Sequence, residues 1–178
     1  MAERKTADKG YKKLRTDLAE GTLGQVYIFY GEESYLREHY FKEVRKKLIP
    51  PGFEEFNFHS VQGKGLTMEE LAEMTEAMPM MSERTLIAVT DCDLYKLGEG
   101  QREKLIALLD DFPEYCCLIF IYDLLEYKPN RTFRKLYAAL SEHAQEVRFE
   151  IQDRGDLFNW IARRFRAAGH DIDARTAE

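Results

Sequence analysis

Cysteine is scarce in this chain of 178 residues, with only three copies. Cys92, Cys116 and Cys117 are odd in number, and two of them are adjacent inside an apolar run, so they draw no disulfide framework. No C-x-x-C pair offers zinc or dithiol chemistry, and reduced thiols packed as small hydrophobes are expected, as in a cytosolic protein. Long hydrophobic runs are missing too. No apolar stretch approaches the length of a bilayer span, and the amino terminus has charge without the hydrophobic core of a signal peptide. These absences predict a cytoplasmic protein with no membrane partner. An excess of positive charge is also lacking: the net charge of −6 argues against a surface made throughout for nucleic acid. Charge is uneven locally. Arg4, Lys5, Lys9, Lys12, Lys13 and Arg15 crowd the opening segment, and the stretch from Glu69 to Asp93 is acidic; both read most simply as solvated faces.

What is present is a regular alternation. Tyr11, Leu14 and Leu18 predict a helix over about residues 8–20, ended by Gly21. Val26 to Tyr30 is a β-branched and aromatic run suited to a strand buried on both faces. From Ser34, apolar residues recur at helical spacing until Pro50-Pro51 stops them. Phe56 and Phe58 alternate with polar neighbours as a second strand. Thr67 and Glu70 form a capping box for a helix running to Pro79. Thr85 to Thr90 is a third strand, Leu105 to Phe112 marks a helix, and Cys116 to Tyr122 is the most apolar run and a central strand. Asn130 is a candidate cap for a helix through Leu140, and Val147 to Ile151 is a fifth strand. Five repeats of strand and helix predict an α/β domain over residues 1–151, its five-stranded parallel sheet flanked by helices.

After Ile151 the character changes. Asp156 is expected to cap a helix carrying Leu157, Trp160, Ile161 and Phe165, ended by Gly169, and Asp173 to cap another. Residues 152–178 therefore read as the beginning of a second, helical domain, and the chain as a piece of a longer one.

Catalytic chemistry is poorly supplied. Ligands of parallel α/β sheets bind beyond the carboxyl ends of the strands. The first such loop, Gly31-Glu32-Glu33-Ser34, has one glycine and two carboxylates where a phosphate loop needs several glycines, a lysine and a hydroxyl. Gly63-Lys64-Gly65 is followed by Leu66 and lacks the hydroxyl as well. His39, His59, His143 and His170 share no spacing. Asp91 and Asp93 follow a strand and could hold magnesium in a phosphotransferase or phosphohydrolase, or simply cap the turn. Arg131 to Lys135 and Arg163 to Arg166 could touch a phosphate backbone, though solvated faces explain them equally. No cofactor or metal is expected.

The unusual stretch is Met78-Pro79-Met80-Met81-Ser82-Glu83-Arg84. Turns ordinarily use Gly, Asn, Asp or Ser. Large apolar side chains at such a place either tuck into the core or wait for a partner, and methionine adapts well to a foreign pocket.

Three segments together resemble a known family. They are Val26 to Leu36, with its Gly-acid turn; Ala77 to Arg84 leading into the strand Thr85 to Thr90; and Leu157 to Asp173, with Trp160-Ile161 and Ala168-Gly169-His170. Their order and spacing resemble the delta subunit of bacterial DNA polymerase III, part of the sliding-clamp loader. The resemblance implies a degenerate AAA+ module without a working nucleotide site and without intrinsic enzymatic activity. It also implies a small helical domain and a helical collar that joins the loader's ATPase subunits, with DNA contacted through the assembled complex. In that family a hydrophobic plug before the third strand enters the beta sliding clamp, commonly as a Leu-Phe pair. By position the pair falls on Met80 and Met81, with Met78 preceding. Methionine keeps the apolar volume, while its extra flexibility raises the entropy lost on docking.

Overall fold

Five strands form one parallel sheet, as expected: β1 (Val26–Tyr30), β2 (Phe58–Gln62), β3 (Thr85–Thr90), β4 (Cys116–Ile121) and β5 (Ala144–Arg148). A computed structural model describes residues 2–151, 154–167 and 169–170 of the chain. The strand order is β2-β3-β4-β1-β5, so β1 is flanked by β4 and β5, and the order reverses around it. Seven helices connect and follow the strands: α1 (Ala2–Glu20), α2 (Ser34–Leu48), α3 (Glu54–Asn57), α4 (Met68–Glu76), α5 (Glu99–Asp110), α6 (Arg134–His143) and α7 (Arg154–Ala167).

Alternation along each strand divides the core into two layers. On one face Val26, Ile28, Ile87, Leu118 and Phe120 pack with Leu71, Leu105 and Leu136 of the helices. On the other, Tyr27, Phe29, Leu86 and Ile119 meet Leu14 of α1, Leu36 and Val44 of α2, and Phe149. All three cysteines are buried and free, as their apolar setting predicted. Burial pushes the Cys92 thiol up to about 11 and the Cys117 thiol to about 12.

Several boundaries differ from the periodic reading. Phe56 lies on the helical turn α3, because Phe53 carbonyl oxygen accepts from the Phe56 and Asn57 amides, and the strand starts only at Phe58. α4 stops at Glu76, short of Pro79, since a residue before proline is driven out of the helical region. Asn130 accepts from the Thr132 amide at 2.9 Å and organises a turn instead of capping α6, which begins at Arg134. β5 begins three residues before Val147, directly after α6, and ends at Arg148. α7 begins at Arg154, so Asp156 falls inside its first turn rather than capping it. Gly169 closes α7 as expected: at φ +80° its amide reaches Arg166 carbonyl while the His170 amide reaches Phe165 carbonyl. The further helix expected after Asp173 lies outside the described residues.

Candidate docking site

The crevice where the strand order reverses is the ordinary ligand position of such a sheet. Here it is occupied by the chain itself. Gly31 sits at φ +121°, and a Cβ at that position would overlap the Phe149 carbonyl. Glu33 amide is spent on Phe149 carbonyl at 3.1 Å and Ser34 amide on Glu32 carbonyl, so these two donors are not turned toward a phosphate. Arg37, buried in α2, donates to Gly31 carbonyl at 2.7 Å and pairs with Asp123 from the turn after β4.

The acids suggested for magnesium are also engaged. Asp91, at φ +56°, accepts from the Asp123, Leu124 and Leu125 amides at 2.9–3.2 Å, and thereby fixes the turn after β4. Asp93 pairs with Lys96 at 2.9 Å. Among the described residues no group of three His, Cys, Asp or Glu could hold a metal ion. The histidines are scattered, as their spacing suggested. His39 accepts from Arg164, His143 contacts Asp110, His59 lines a shallow cleft beside α4, and His170 follows α7. Arg131 and Arg134 to Lys135 lie at and before the start of α6, with Arg131 over the Tyr137 ring.

At the opposite, amino end of the sheet the methionine turn joins α4 to β3. Met78, Met80 and Met81 are 72%, 55% and 79% exposed, so none of the three belongs to the core. Their backbone, in contrast, is held. Asn57, fully buried at the end of α3, accepts from Met80 amide at 2.7 Å and donates to Met80 carbonyl at 2.8 Å. The same amide nitrogen donates to Phe53 carbonyl. Met81 takes φ +53°, a left-handed conformation uncommon for a side chain of its size. Beyond it, Ser82 hydroxyl bonds to Arg84 carbonyl at 3.0 Å. Arg84 then donates to the carbonyls of Leu23, Gly24 and Cys116 at 2.7–3.1 Å, tying the end of the turn to the starts of β1 and β4. Tyr115 hydroxyl donates to Glu76 carbonyl and satisfies the last turn of α4. Neither Asn57 nor Arg84 stands out in the sequence as a support. The available signal was a lone amide between Phe56 and Phe58, and a cation immediately before a fully buried strand.

The family model for DNA polymerase III, delta subunit, matches residues 27–150. The chain belongs to the DNA polymerase III delta subunit family. It is 25% identical over 131 residues to DNA polymerase III subunit delta of Bacillus subtilis, covering 71% of this chain and 38% of that protein. The solved Bacillus subtilis DNA clamp loader delta protein superposes with a TM-score of 0.68 at 20% identity, over 94% of this chain and 50% of the other. A DNA polymerase III gamma subunit-related protein from Thermotoga maritima gives a TM-score of 0.54 at 16% identity, over 89% and 54%. The chain thus spans about half or less of the length of these relatives. The fold is the AAA+-like α/β arrangement that the resemblance implied, and the delta-family segment includes both the β1–α2 turn and the methionine turn.

Proposed function

We propose that this chain is the clamp-binding part of a clamp-loader delta subunit that acts in DNA replication. Met80 and Met81 anchor in the apolar pocket of the beta sliding clamp, and Met78 adds a secondary contact. The observation that carries this reading is an apolar triplet whose side chains face solvent while its backbone is fixed by buried Asn57. A rigid turn loses little conformational entropy on docking, which offsets part of the cost of ordering three methionines. Opening the ring requires tighter binding to an opened interface than to a closed one. The subunit itself is non-catalytic and takes no cofactor: the self-occupied crevice at Gly31 supports this, and the engaged carboxylates of Asp91 and Asp93 work against a magnesium phosphotransferase. Helix α7 begins the helical domain that leads toward the collar and the loader's ATPase subunits, and DNA is met through that assembly in the cytoplasm.

The double variant Met80→Ala, Met81→Ala tests the reading. Binding to the same organism's sliding clamp, followed by surface plasmon resonance, should weaken about ten- to hundredfold, as for loss of a buried anchor. Melting temperature should stay close to that of the parent, because both side chains already face water. Undiminished clamp binding would overturn the assignment.

A further inference from the structure

The delta-family resemblance puts a Leu-Phe pair where this chain has methionine, and the thioether brings chemistry that Leu and Phe lack. We propose that Met78, Met80 and Met81 form a sulfoxidation site through which a peroxide releases the chain from its clamp. The proposal rests on the docking reading above. In the step, a thioether lone pair attacks one oxygen of hydrogen peroxide and the O–O bond breaks. The departing hydroxide collects the proton of the transferred hydroxyl and leaves as water. Sulfur is oxidised to the sulfoxide and the peroxide is reduced.

Three features select these sulfurs. First, accessibility among the described methionines: the three are 55–79% exposed, whereas Met68 is 1% exposed and Met74 is half-buried against the core. Second, the competing sulfurs are protected. Cys92, Cys116 and Cys117 are buried, and burial raises each thiol above its ordinary range, so little of the reactive thiolate is present at neutral pH. Third, the turn's backbone does not depend on the methionine side chains, since Asn57 and Arg84 hold it through main-chain groups. Oxidation therefore changes the docking surface without unfolding the protein. A sulfoxide oxygen must keep a hydrogen bond, and an apolar pocket has none to give.

The test uses the whole chain, treated with hydrogen peroxide and freed of it before contact with the clamp. Peptide mass mapping should show oxygen on Met78, Met80 and Met81 before Met68. Clamp binding by surface plasmon resonance should weaken about tenfold or more at unchanged melting temperature. Methionine sulfoxide reductases A and B with a dithiol should restore it. In the triple variant M78L/M80L/M81L, whatever its own clamp affinity, peroxide treatment should leave that affinity unchanged. The proposal is overturned if the mapped, oxidised chain binds as tightly as the untreated one, or if peroxide weakens the leucine variant relative to its own untreated form as much as it weakens the parent. Failure of the untreated chain to bind would instead remove the docking reading on which the proposal stands.

Discussion

The turn after β1 and the turn before β3 lie at opposite ends of one sheet and are fixed by different means. At the carboxyl end, Gly31 is pressed against Phe149, its carbonyl is taken by Arg37, and the Glu33 and Ser34 amides are spent within the protein. At the amino end, the bonds reach only the backbone of Met80 and the residues after it, and three large apolar side chains are left in water. Two amides spent on carbonyls are not available to a phosphate. A turn fixed through its backbone alone offers a partner a preorganised apolar surface. The two turns of one sheet thus differ in what they leave exposed: one is packed against Phe149, and the other leaves three methionine side chains in water.

The most disruptive way to break this contrast is Gly31→Ala. The new Cβ would overlap the Phe149 carbonyl, and φ +121° is nearly closed to side-chain-bearing residues. Unfolding by urea should show a loss of about 3 kcal/mol or more. Clamp affinity of the folded protein should hold, because the methionine turn is at the far end of the sheet. A loss below about 1 kcal/mol would mean that the closed crevice is more plastic than its packing implies.

Asn57→Ala attacks the amino end. It leaves the amide and carbonyl of Met80 without their side-chain partner, while Phe53 carbonyl keeps the Phe56 and Asn57 amides. The expected cost is about 2–3 kcal/mol of stability. Clamp binding should weaken about tenfold as well, since the turn would then have to be ordered during docking. Stability lost with affinity intact would show that the methionines dock without a prepared backbone.

Much of this contrast was legible in advance, for identifiable reasons. β1, β3 and β4 are central strands covered on both faces, so they read as continuous apolar runs, with both limits correct for β1 and β3 and the end of β4 one residue short of the expected Tyr122. β2 and β5 are the edges, and Ala144-Gln145-Glu146 carries no apolar signal; its strand character comes from pairing with β1. Strand order follows from such pairing and was not readable. The Gly31 turn, with one glycine and two carboxylates, was legible as unlike a phosphate loop through composition alone. The methionine turn was equally visible, but its supports were not: Asn57 and Met80 are 23 residues apart and Arg84 and Leu23 are 61 apart. Neither separation follows any local period.

The smallest effect tests whether the two ends are independent, because α4 runs between them. Its start is the capping box: Glu70 amide donates to Thr67 hydroxyl at 3.2 Å, and Glu70 carboxylate accepts from Thr67 amide at 2.9 Å. Thr67→Ala removes one half of this box and should cost about 1 kcal/mol at neutral pH. The Thr67 backbone amide, and after it the hydroxyl, hold the Glu70 carboxyl below its ordinary value. A depressed carboxylate contributes stability above its unfolded value and loses it as pH falls through the lower folded one. The gap between parent and variant should therefore narrow across that acidic range. Clamp binding of Thr67→Ala should match the parent, since Asn57 and Arg84 hold the methionine turn without help from the start of α4. A fall in affinity as large as that of Asn57→Ala would show that the helix transmits its first turn to its last, and that the two ends act as one.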